Sequence, residues 1–183
     1  MTYTVHTVET ATESAKPTLT EAKKAYGFLP NLLAVMAESP ALVKGYIALA
    51  RIFEETSLSP SERQVVLLTT SYENGCEYCI AAHSVIAGMQ KVPSTVVQAI
   101  RDRLAVADKK LEALRRFTAA VAISRGRPSE AETGMFLNAG YGKQQVLEVV
   151  LGVGIKTLSN YTNHIADTPL DQAFAGAAWS KAA

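Results

Sequence analysis

The sequence predicts an all-α helical bundle, on three observations. Apolar residues recur at three- and four-residue intervals over long stretches, several stretches open on a Ser-Pro pair or another capping residue, and none alternates cleanly or ends in a hairpin signal. The 183 residues suit one domain with a substantial core. That domain is expected over 18–183, behind a flexible N-terminal arm, 1–17, rich in Thr and Glu and without apolar periodicity.

The elements follow in order. A short helix from Thr18 is stopped by Gly27 and the "FLPN" turn, after which Phe28, Leu29, Leu32, Leu33, Val35 and Met36 read as core or interface. In "SPALVKGYIALARIFEET", Ser39 caps and Pro40 takes the first helical position, with Leu42, Tyr46, Leu49 and Phe53 on one face. "LSPSERQVVLLTT" repeats the device with Ser59 and Pro60, and Glu62 stands where its carboxylate closes a capping box. Asn74 and Gly75 break that helix, and "CEYCIAAHSVIAGM" starts another. Further helices are expected from Pro93 to about Arg103, Asp108 to Ser124, Ser129 to Ala139 and Lys143 to about Ile165. Only "STVVQAI" and "VLEVVLGVGI" carry enough Val and Ile to suggest strands, and neither alternates.

Hydrophobic residues make up 48% and charged residues 19% of the chain, and the net charge is +1. Such a balance predicts neither a nucleic-acid nor a membrane partner. The N-terminal stretch lacks the basic and apolar regions of a secretory signal, so a cytoplasmic location is expected. The apolar density of residues 28–58, together with Ser159 to Asp171, predicts a homo-oligomer.

Chemistry concentrates in "NGCEYCIAAHS", which holds both cysteines and one of the three histidines. On a helix starting near Cys76, residues Cys76, Cys79 and His83 share one face, and the two Cα atoms lie within disulfide reach. The helix start favours thiolate over thiol, and His83 can take the thiol proton or stabilise the thiolate as imidazolium. Those are the parts of a peroxide-reducing dithiol: one sulfur attacks, the other resolves, and a partner dithiol restores the pair. Two other readings stand beside it: small residues buried in a helix core, or a three-ligand metal site. No cofactor is called for, and a thioredoxin-like fold is opposed by the lack of flanking strands.

"LSPSERQVVLLTTSYENGCEYCIAAHS" resembles the core signature of the carboxymuconolactone decarboxylase and alkylhydroperoxidase D superfamily, in particular its peroxidase-related members with CxxCxxxH. "LSNYTNHIADTPLD" is similar to a C-terminal stretch of that subgroup and, with "FLPNLLAVMAESPALV", extends the likeness over most of 27–171. The resemblance implies an AhpD-like helical bundle assembled as trimers or hexamers, acting on a hydroperoxide substrate with a dithiol or protein thiol as reductant. It implies Cys79 as the attacking thiol, Cys76 as the resolving thiol and His83 as a proton relay.

Two relay positions depart from the family pattern. Gln64 stands where the family has a glutamate, and an amide cannot exchange a proton at ordinary pH. Tyr78 stands where the family has a histidine, and a phenol is a poor base near neutrality. Glu62 is turned roughly 200° from Gln64 and has its capping role, while the direction of Glu73 is open. A lactone decarboxylase is the rival enzymatic reading, with Arg51, Arg63 and His164 as conceivable carboxylate-binding groups. A redox-responsive helical assembly without turnover is the third.

Overall fold

The computed structural model describes residues 2–181. Among them are nine α-helices, one 3-10 helix and no strand. The helices are α1 (Lys16–Tyr26), α2 (Asn31–Met36), α3 (Pro40–Glu54), α4 (Pro60–Glu73), α5 (Glu77–Met89), α6 (Ser94–Arg101), α7 (Lys109–Ile123), α8 (Glu130–Asn138) and α9 (Lys143–Ala166). A 3-10 turn, Gln172–Ala177, follows. The bundle is all-α, as the spacing of apolar residues predicts, and both Val-rich stretches are helical, within α6 and α9.

Local chemistry sets the helix starts. Ser39 accepts from the Leu42 amide, and Ser59 and Glu62 close a reciprocal capping box ahead of α4. Asp108 and Ser129 cap α7 and α8 in the same way. Glu62 is therefore held at a helix start, as its spacing predicts.

α4 is the central helix, with Val65, Val66 and Leu68 fully buried, and it packs on α3, α5, α6, α7 and α9. Its approach to α9 depends on Gly152, where a Cβ would meet Val66 Cγ1 at 2.5 Å and Phe53 Cζ at 2.9 Å. A second buried cluster joins α1, α2 and α3 to the cysteine helix, and Cys76, Tyr78 and Cys79 are part of it. The leading segment lies against this cluster: Ala11 and Ala15 are buried, and the His6 ring meets Glu38 at 2.8 Å. Of residues 28–58, Leu32, Leu33, Val35, Met36, Val43 and Phe53 are buried within the chain itself, while Ile52 stays exposed. No helix among the described residues is long and apolar enough to cross a membrane.

Candidate active site

Two helices meet at a sharp corner. Gly75 adopts φ +68°, the left-handed conformation that glycine accepts at least cost. Its amide bonds to Tyr72 O, and the Cys76 amide to Ser71 O, a Schellman closure of α4. Cys76 is at once the last residue of that closure and the N-cap of α5, so both sulfurs sit at the positive end of a helix. The two cysteines are not joined by a disulfide, and both are about 1% exposed.

The other wall is α9. Lys156, Ser159, Asn160 and Asn163 recur at intervals of three and four on α9, and all four are buried. Asn160 fixes the corner, accepting from Asn74 Nδ2 at 2.8 Å and donating to Ser71 Oγ at 3.4 Å. Asn163 Nδ2 donates to Cys79 Sγ at 3.3 Å and to Cys76 Sγ at 3.6 Å. Ser159 Oγ is 3.9 Å from Cys79 Sγ.

These neighbours polarise the pair. Burial opposes ionisation of Cys79, but the Cys76 thiol, the Lys156 ammonium and Ser159 outweigh it and hold its pKa well below the ordinary thiol range. Cys76 is driven the opposite way by its hydrogen bond to Cys79 and by burial. Both shifts run in the direction that favours thiolate at Cys79 and thiol at Cys76. Lys156 keeps its charge despite burial because Cys79, then Tyr46 and Cys76, favour the ammonium.

One turn beyond Cys79, His83 Nδ1 is 3.0 Å from Gln64 Oε1, and Gln64 Nε2 donates to Gln90 Oε1 at 3.1 Å. With Gln64 accepting, the imidazole carries its proton on Nδ1 and leaves Nε2 basic. Desolvation and, secondly, Lys156 hold the His83 pKa well below 6.5, so of its two conceivable roles the neutral ring is the favoured one.

Tyr78 lines a groove beside Cys76, and its hydroxyl is engaged by the C-terminal segment rather than by the sulfurs. Its hydroxyl donates to Asp171 Oδ2 and accepts from the Leu32 amide at 3.2 Å, and Asp171 also receives the Asn31 amide at 3.1 Å. This clasp ties the start of α2 and the C-terminal segment to α5. Glu73 bears on Arg115 of α7. Arg63 is paired with Glu54 at 3.1 Å near the start of α4, Arg51 is exposed, and His164 is exposed beside the opposite end of α4. At about 1.5 Å per residue those ends are roughly 20 Å apart, so Arg63 and His164 do not converge. Among the described residues no three His, Cys, Asp or Glu side chains gather as a metal site.

An open groove of about 600 Å³ reaches the pair from the corner side, lined by Gly75, Cys76, Asn163, His164 and Trp179 among others. Cys76 lines it and Cys79 does not.

The family model for the carboxymuconolactone decarboxylase family matches residues 40–121, from the start of α3 to near the end of α7. The fold also superposes on the AhpD-core, uncharacterized peroxidase-related protein from Ralstonia eutropha JMP134 with a TM-score of 0.83, at 19% identity over 94% of this chain and 93% of that one. The chain has the AhpD-like fold. A second structural neighbour is the uncharacterized peroxidase-related protein from Silicibacter sp. TM1040, with a TM-score of 0.78 at 17% identity over 90% of this chain and 88% of that one. A third is the debrominase Bmp8 C82A in complex with 2,3,4-tribromopyrrole, with a TM-score of 0.76 at 18% identity over 90% and 89%. No curated protein sequence matches the chain.

Within this AhpD-like frame Cys76, Cys79 and His83 lie on one helix and Gln64 meets the histidine from α4. Lys156, Ser159, Asn163 and Tyr46 were not singled out as site residues from the sequence. The available signal was the helical spacing of the polar residues 156, 159, 160 and 163, which places them on one stripe of α9.

Proposed function

We propose that the protein is a thiol-dependent peroxidase, or a related dithiol oxidoreductase, reducing hydroperoxides through Cys76 and Cys79. The observation that carries this reading is the asymmetry of the pair: Cys79 is stabilised as thiolate by Cys76, Lys156 and Asn163, while Cys76 remains a thiol. The Cys79 thiolate attacks the terminal oxygen of the hydroperoxide, the O–O bond breaks, and the alkoxide leaves as alcohol once protonated. The Cys79 sulfenic acid condenses with the Cys76 thiol and loses water. An external dithiol then reduces the disulfide, attacking Cys76, the sulfur that lines the groove, and expelling Cys79, the better leaving group. Neutral His83 offers Nε2 as hydrogen-bond acceptor to the incoming hydroperoxide.

The test is turnover of an organic hydroperoxide with a regenerating dithiol. Cys79→Ser should abolish it, and Cys76→Ser should trap sulfenic acid after one round. Reversible disulfide formation without turnover would make the protein a redox-responsive assembly instead. Turnover of 2,3,4-tribromopyrrole and of no hydroperoxide would reassign the substrate class while keeping the dithiol.

A further inference from the structure

Lys156 is about 1% exposed, and its Nζ has no hydrogen-bond partner among the described residues. It stands on the same stripe of α9 as Ser159 and Asn163, which contact Cys79 Sγ at 3.9 and 3.3 Å. The titratable groups that act on it are Cys79, Tyr46 and Cys76, and it bears in turn on His83; α2 carries no titratable residue, and of the other helices packed on α9, α4 and α7 supply none of these groups. A buried ammonium without hydrogen bonds persists only beside an opposite charge. The group that favours the ammonium most is Cys79, whose sulfur meets Ser159 and Asn163 of the same stripe.

We propose that Lys156 is the proton store of the redox cycle: an ammonium paired with the Cys79 thiolate in the reduced protein, it gives its proton to the leaving oxygen as Cys79 is oxidised. The inference rests on the dithiol reading above. Once Cys79 becomes a neutral sulfenic acid, the ammonium is left alone in the interior, and transfer of its proton to the adjacent alkoxide removes both unpaired charges. The balance closes. Thiolate, ammonium and hydroperoxide give sulfenic acid, neutral amine and alcohol. Sulfenic acid and the Cys76 thiol then give disulfide and water. Reduction by an external dithiol delivers two electrons and two protons, one returning to Cys76 and one to Lys156. This supplies the function for which position 64, an amide here, has no exchangeable proton.

The experiment uses the reduced full chain. Thiolate is followed by its ultraviolet absorbance and by alkylation rate against pH, and proton uptake by an indicator dye in weak buffer during oxidation with one equivalent of an organic hydroperoxide. Disulfide is counted by mass. The expected result is a thiolate present at about pH 7, full disulfide formation and no net proton uptake. Thiolate with one proton taken up per disulfide means that the ammonium survives oxidation, and absence of thiolate means that the pair is not charged; either overturns the proposal while leaving the dithiol intact. Absence of any disulfide overturns the dithiol reading and the proposal with it.

Lys156→Met should slow alkylation near neutral pH by roughly tenfold or more, the effect of a one-unit rise in thiol pKa. Lys156→Arg should keep the thiolate but take up one proton per disulfide, because guanidinium holds its proton. Retention of wild-type proton balance in Lys156→Arg refutes the proposal. If the arginine variant does not fold, the wild-type proton count and the methionine variant decide.

Discussion

Asn163 Nδ2 lies 3.3 Å from Cys79 Sγ and 3.6 Å from Cys76 Sγ, so one amide near the end of α9 donates toward both sulfurs of the pair. A hydrogen bond to a charged acceptor is worth about 1.5–3 kcal/mol, so Asn163→Ala is expected to raise the Cys79 pKa by roughly one to two units. The alkylation rate of Cys79 as a function of pH measures this. An unshifted profile would mean that the contact orients the sulfurs without stabilising the thiolate.

Tyr78, by contrast, is committed to Asp171 and the Leu32 amide. Tyr78→Phe should destabilise the fold by about 1–3 kcal/mol, since it strands a buried carboxylate oxygen and an amide. It should leave the alkylation profile of Cys79 in place. Urea denaturation read beside that profile separates the two effects, and a shifted profile with unchanged stability would restore Tyr78 to the relay.

The Gln64–His83 contact controls a protonation state. Because the His83 pKa is held well below 6.5, the unfolded chain binds a proton near that pH which the folded chain refuses. The associated stability is present above about pH 6.5 and is lost as pH falls. Gln64→Glu places a carboxylate on Nδ1 and should raise the His83 pKa, weakening this acid sensitivity. Ring titration by NMR and urea midpoints from pH 5 to 8 follow both. A His83 titration unmoved by the carboxylate would contradict the assigned Nδ1–H contact.

Gly152→Ala should destabilise the fold by about 1–3 kcal/mol, because its Cβ would meet Val66 and Phe53 at 2.5 and 2.9 Å. The same change loosens α9 against α4 and with it the polar stripe at the cysteines. Calorimetry together with thiolate titration should show both effects; a fully stable variant would mean that the two helices part freely.

On α9, Leu147, Val150, Tyr161 and Ile165 are exposed by 50–70%. With the apolar density of the sequence, this face supports assembly of the chain into a homo-oligomer, trimer or hexamer. Light scattering at dilute concentration should return several times 19.6 kDa. Leu147→Asp with Ile165→Asp should shift it toward one chain, and a wild-type monomer would remove the proposal.

What the sequence determined by itself was local. Helix starts at Ser39, Ser59, Asp108 and Ser129, the break at Asn74–Gly75, and the shared face of Cys76, Cys79 and His83 all follow from capping chemistry and a period of 3.6 within a few residues. Even the two Val-rich stretches lacked the alternation a strand requires. The tertiary structure decided what no short window contains: Lys156 and Asn163 stand more than seventy residues beyond Cys79, and only the packing of α9 against the α4–α5 corner brings their charge and hydrogen bonds to the sulfurs. Tyr78 shows the same limit from the other side. The family resemblance puts it at a relay position, but successive helical residues diverge by about 100°, and its hydroxyl is taken by an aspartate 93 residues away. Burial decided the rest: it opposes both the Lys156 ammonium and the Cys79 thiolate, and each of these charges is favoured there by the other.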